Sequence, residues 1–183
     1  VYEDTTRGYS LALPDDWTIL DLRSGNFQRM AGAVGLDDQL APLNEFLDSP
    51  EGEAIGIVAA TDLGGMLFGG MPSVLNVSVI DAPGNDPATV ASTVEAMIRE
   101  NSAALGDVTL ENLEATTVNN LPAVHGDGIV DLSAVGMDTR FYVDVTGLLA
   151  NDKVYVLTMA TAEDSRQQNA DEFDAIAGSF RPQ

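Results

Sequence analysis

The sequence predicts an α+β fold, a central and mainly antiparallel sheet flanked by helices, and three observations carry that prediction. Four strand-like runs follow one another from Val108 to Thr161 with only turn chemistry between them, the pattern of an antiparallel meander. Two other stretches, one after Asp86 and one before Pro182, repeat their apolar residues at helical spacing instead. Near the start, Tyr9 to Leu22 reads as strand, turn and strand. No repeat, low-complexity tract or long linker divides the 183 residues, so 1–183 is expected to be a single domain. A chain of this length buries roughly 70% of the surface its unfolded form exposes, so no covalent staple is required.

Taken in order, Tyr9, Leu11 and Leu13 alternate with Ser10 and Ala12, which puts the three larger side chains on one face. Pro14 removes a backbone donor, and Asp15 and Asp16 can satisfy turn amides before Trp17 and Ile19 resume the alternation. An opening hairpin anchored by Trp17 is expected. From Ser24 the period changes: Phe27, Met30, Ala31 and Val34, then Leu36, Leu40, Leu43, Phe46 and Leu47, predict a two-helix insert at about 24–50. Gly35 ends the first of these helices and Pro42 is tolerated near the start of the second. Asp48 to Gly52 is a turn, and Ile55 to Thr61 suits a strand buried on both faces.

Gly64 to Pro72 pairs glycine flexibility with large apolar side chains. Such a connector more often tucks its apolar residues onto the core. Its functional form is a mobile apolar flap or partner-binding tip, with Met66, Leu67, Phe68 and Met71 as the candidate contact residues. The lysine and hydroxyl residue of a phosphate-binding loop do not follow its glycines, which excludes that role.

Val74 to Asp81 returns to strand. Asp86 then caps a helix with Pro87 in its first turn, Val90, Val94, Met97, Ile98 and Leu105 form its apolar stripe, and Gly106 closes it. Strands follow at Val108 to Val118, Ala123 to Leu132, Thr139 to Leu149 and Lys153 to Thr161. Ala170, Phe173, Ile176, Ala177 and Phe180 mark a last helix, which Pro182 is expected to stop.

Composition narrows the function. Twenty-nine acidic residues against 8 basic ones give a formal charge of −21, and Lys153 is the only lysine. Nucleic acid is excluded, because a phosphate backbone needs clustered cations. An anionic membrane surface would repel the domain for the same reason. The longest uncharged run, Leu63 to Ile80, contains four glycines and Pro72, so no direct membrane insertion by this domain is expected. There is no cysteine, which removes disulfides, thiolate metal sites and cysteine nucleophiles. The chain opens at Val1 with no initiator methionine, which suggests a removed leader or tether, or a trimmed segment.

Candidate chemistry is sparse. His125 is the only histidine, so it could act at best as one lone base, and a structural histidine on the sheet is the commoner arrangement. Carboxylates gather as Asp15 with Asp16, Asp37 with Asp38, Asp81 with Asp86, and Asp127 with Asp131, where a calcium ion could collect oxygens. Asp127 to Asp131 lacks the spacing and glutamate of an EF-hand, and solvated acidic surface is the favoured assignment for all four. Tyr142 and Tyr155, on adjacent predicted strands, could form a cross-strand pair or a pocket wall, or pack in the core.

Three segments together resemble the PsbP-like fold group, which includes the PsbP photosystem protein and many small bacterial lipoproteins. They are Gly8 to Trp17 (Gly-Tyr-Ser-Leu-Ala-Leu-Pro-Asp-Asp-Trp), Thr117 to Val124 (Thr-Val-Asn-Asn-Leu-Pro-Ala-Val) and Phe173 to Arg181 (Phe-Asp-Ala-Ile-Ala-Gly-Ser-Phe-Arg). The resemblance implies an α/β/α sandwich and an exported or membrane-tethered module that acts by binding or assembly. It implies neither a common catalytic centre nor a particular ligand.

The leading expectation is therefore a non-enzymatic, extracytoplasmic, lipoprotein-type binding or assembly module without a cofactor, metal or catalytic residue. A removed N-terminal segment would tether it to the outer face of the cytoplasmic membrane, and an unknown protein of the cell envelope would be its partner. The alternative is a calcium- or small-ligand-binding domain with a cleft near the Gly-rich loop and acidic turns. An enzyme comes third and would require carboxylates or His125 converging in one pocket.

Overall fold

In the computed structural model, residues 1–20, 55–61, 72–82, 86–105, 108–131 and 140–183 are described. They form, in order, β1 (Tyr2–Asp4), β2 (Tyr9–Leu11), β3 (Trp17–Leu20), β4 (Ile55–Thr61), β5 (Val74–Asp81), α1 (Pro87–Leu105), β6 (Val108–Val118), β7 (Leu121–Asp131), β8 (Arg140–Ala150) and β9 (Lys153–Ala162). A single 3-10 turn at Glu163–Ser165 leads into α2 (Arg166–Ser179), and β10 (Arg181–Pro182) follows.

Local turn chemistry builds the meander. Val118 pairs with Leu121 and Ala150 with Lys153, leaving two-residue connections. Their central residues sit in the left-handed region, Asn119 and Asn120 at φ 54° and 63°, Asn151 and Asp152 at φ 53° and 58°. Type I′ turns need such angles at both positions, and Asn and Asp adopt them at less cost than other side chains. The sheet is then extended beyond β9 by β5, β4 and β3, giving the seven-stranded order β3-β4-β5-β9-β8-β7-β6 with every pairing antiparallel.

The opening strands depart from the expected hairpin. β2 pairs with β1 on one side and β10 on the other in a small separate sheet, whereas β3 pairs with β4 in the large one. The turn at Pro14 to Asp16 thus passes the chain from one sheet to another. Trp17 still anchors, since its ring lies edge-on to Phe173 at 6.5 Å and its Nε1 donates to Glu172 Oε1 at 2.9 Å.

Side-chain alternation divides the apolar residues into two clusters. Tyr155, Leu157 and Met159 of β9 pack with Leu75, Val77, Tyr9, Leu11 and the α2 residues Phe173, Ile176 and Ala177. Val154 and Val156, one residue out of phase, pack with Val143, Val145, Leu149 and the α1 residues Val90 and Val94. Both faces of β8 and β9 are therefore covered, which accounts for their nearly continuous apolar runs.

α1 starts as expected: Asp86 Oδ1 accepts from the Ala88 amide at 3.0 Å, and the Asp86 carbonyl accepts from Thr89 N at 2.9 Å. It lies so close to β8 that a Cβ at Gly147 would come within 2.6 Å of Val94 Cγ2. α2 ends before Pro182, because Phe180 is extended (φ −58°, ψ 136°) and its ring enters the core between Tyr9 and Tyr155, at centroid distances of 5.7 and 5.0 Å. Pro182 instead belongs to β10. Among the described residues no helix is long and apolar enough to cross a membrane. The two-helix insert expected at about 24–50 lies outside the described residues.

Candidate functional site

Among the described residues, charged side chains gather where β7 and β8 meet α2. Alternation places Ala123, His125, Asp127 and Ile129 of β7 on one face, opposite Leu148, Thr146, Asp144 and Tyr142 of β8. This is the face α2 covers, since Ala123, Tyr142 and Leu148 share a cluster with Phe173 and Ile176.

His125 reaches diagonally across the ladder, and its Nε2 lies 2.8 Å from Asp144 Oδ2. The two side chains differ in exposure, 42% for the imidazole and 9% for the carboxylate. A buried carboxylate needs a compensating partner, and the imidazole provides one from the solvent side. The hydrogen bond to Asp144 raises the His125 pKa above its ordinary value, burial opposes this, and the charges of Asp144, Asp174 and Asp127 add to the rise. The imidazolium form is thus favoured.

Next along the strand, Asp127 Oδ2 is ion-paired with Arg166 Nη2 at the start of α2. The same guanidinium lies 4.4 Å from the centroid of the Tyr142 ring, a cation–π contact that orients it. Burial, and then the charges of Asp144 and Asp127, push the Tyr142 phenol up to about 12. Arg140 Nη1 bonds Glu163 Oε2 at 2.9 Å beside this group. Beneath α2, Thr161 Oγ1 accepts from Asn169 Nδ2 and from Ser73 Oγ, both at 3.0 Å. The cluster can hold or release one proton at His125 and joins α2 to the sheet through paired charges.

A second polar group lies near β1 and β2. Asp4 Oδ1 accepts from the Thr6 and Arg7 amides at 3.1 and 2.9 Å, and Oδ2 is 3.3 Å from Arg7 Nη1. Tyr155 donates its hydroxyl to the Gly8 carbonyl at 3.3 Å. Tyr9 is buried beside Tyr2, with ring centroids 6.1 Å apart.

The acidic pairs singled out in the sequence are drawn into separate tasks or kept at the surface. Asp15 and Asp16 are exposed. Asp81 ends β5 opposite Lys153, while Asp86 caps α1. Asp127 holds Arg166, and Asp131 lies at the far end of the same strand. Asp37 and Asp38 fall outside the described residues. Among the described residues no three acidic or histidine side chains lie so as to hold a metal ion. Tyr142 and Tyr155 do not form the cross-strand pair: Tyr142 faces Thr161 and Tyr155 faces Leu148, at opposite ends of the β8–β9 hairpin. The candidate loop residues Met66, Leu67, Phe68 and Met71 lie outside the described residues.

Sequence reasoning found His125 but missed Asp144, Arg166 and Asp174. The available signal was Asp144 itself, a charge inside the apolar run Phe141 to Leu149. A buried charge there demands a cation on a neighbouring strand.

No family model matches this chain. No curated protein matches it in sequence. Among solved structures, it is similar to cyanobacterial PsbP (CyanoP) from Synechocystis sp. PCC 6803, at 19% identity and a TM-score of 0.60 over 100% of this chain and 91% of that one. It is also similar to LpqN of Mycobacterium tuberculosis, at 15% identity and a TM-score of 0.51 over 94% of this chain and 81% of that one. At these identities the likeness is one of fold, and the chain has a PsbP-like fold.

Proposed function

We propose that this chain is a non-enzymatic extracytoplasmic binding or assembly module, a single α/β/α sandwich over 1–183 with an insert at about 24–50 and a membrane tether attached ahead of Val1. The observation that carries the proposal is the likeness in fold, over most of both chains, to LpqN, whose structure is described as that of a protein involved in cell envelope biogenesis. The charge cluster is consistent with it: Asp127 and Glu163 are each engaged by an arginine and Asp144 by His125 within the fold, which suits a structural role. The partner is a protein of the envelope, and the contact surface is the Gly-rich loop bearing Met66, Leu67, Phe68 and Met71.

Cell fractionation and cross-linking pull-down from the native envelope test this. Native protein should fractionate with the envelope and capture one stoichiometric partner, which is lost when Met66, Leu67 and Phe68 are changed to serine. Recovery in the cytosol, or the same capture by both proteins, would overturn the localisation or the surface. A calcium-specific rise in melting temperature at matched ionic strength, with no captured partner, would replace assembly by ligand binding.

A further inference from the structure

Helix α2 runs opposite in direction to β7 and is tied, at its two ends, to that strand and to the turn before it. At one end Asn119 Nδ2 donates to the carbonyls of Gly178 and Phe180, both at 2.9 Å. At the other end Arg166 is paired with Asp127. Between them lies His125, half-buried and bonded to Asp144.

The charges facing His125 are mostly negative. Its own strand supplies Asp127, β8 supplies Asp144, and β6 places the exposed Glu114 at the opposing register position. α2 contributes Asp174, whose charge is felt at the imidazole, and Arg166. With His125 charged, two cations stand among these carboxylates. With it neutral, Arg166 alone opposes Asp127, Asp144 and Asp174 beside a partly buried surface, where like charges repel more strongly than in water.

We propose that His125 is a proton-operated clasp for α2: charged, it holds the flank of the helix against β7, and uncharged, it lets that flank loosen. The apolar stripe of Phe173, Ile176 and Ala177 remains seated on β8 and β9, so the change is a local opening rather than unfolding. What opens is the line between α2 and the outer strands of the meander.

The test combines a proton NMR titration of His125 with amide hydrogen exchange along α2, corrected for the intrinsic pH dependence of exchange. The His125 midpoint should lie above the ordinary value of about 6.5 and fall in Asp144→Asn. Asp174→Asn, a surface change that leaves the fold intact, should lower it by less. Protection of the α2 amides flanking Asp174 should drop as the pH passes through the midpoint, because the docked helix binds the proton more tightly than the loosened one. Amides of β8 and β9 should follow only the change in global stability, and in His125→Gln the α2 step should vanish. A native midpoint at or below the ordinary value, or α2 protection with no step at that midpoint, overturns the clasp. Should Asp144→Asn fail to fold, the Asp174→Asn and His125→Gln results decide alone.

Discussion

At position 125 an imidazole is biased toward its charged form because a buried carboxylate lies 2.8 Å away, and this gives stability a pH dependence of definite sign. The folded pKa is raised above the unfolded one, so the contribution is complete below about pH 6.5 and is lost as pH rises through the folded value. The melting-temperature gap between native protein and His125→Gln should be widest in mild acid and narrow in alkaline buffer. A gap that widens with pH would contradict this. His125 was legible as a candidate because it is unique in the chain. Its role was not, since the β7–β8 connection is too long to reveal the register that brings Asp144 to it.

Elements fixed by neighbouring residues were the legible ones. Asn119-Asn120 and Asn151-Asp152 mark turns that need no distant contact, and Asp86 with Pro87 marks the start of α1 within one turn. Removing that cap in Asp86→Ala should cost about 1 kcal/mol in a denaturant titration. The seat of α1 is just as local in its demands. A methyl at Gly147 would meet Val94 Cγ2 at 2.6 Å and Val90 Cγ1 at 3.0 Å, and branched valine side chains have little freedom to swing aside. Gly147→Ala should destabilise by about 1–3 kcal/mol through overpacking, and a neutral result would mean that α1 shifts to accept it. The opening strands were not legible in this way. Alternation identified β2 and β3, but their partners, β10 and β4, are separated from them by long stretches of chain, and pairing at such distances leaves no local mark. Phe180 shows the same limit at the end of α2, where its helical spacing concealed an extended backbone drawn into the aromatic core.

The molecule as a whole carries a formal charge of −21, and this self-repulsion favours the more expanded unfolded chain. Added salt shortens the screening length from about 30 Å at 0.01 M to about 3 Å at 1 M. The melting temperature should accordingly rise with sodium chloride, even though half-exposed pairs such as Arg140–Glu163 lose a little. A flat or falling series would show that the paired charges outweigh the net charge. The fold class was legible because the meander dominates and is local. The small sheet was not, because it draws β10 onto β2 from the far side of the sequence.

That small sheet also imposes an order of events on biosynthesis. Until Arg181 has emerged from the ribosome, β2 has only β1 beside it, and Tyr9 lacks the ring of Phe180 against which it stacks. A nascent chain can complete the hairpins β6–β7 and β8–β9 while its first strands still wait. Chains stalled short of Phe180 should thus be cut by protease near Tyr9 yet protected across β8 and β9. Strands β1 and β2 would then find their place only after the meander that follows them.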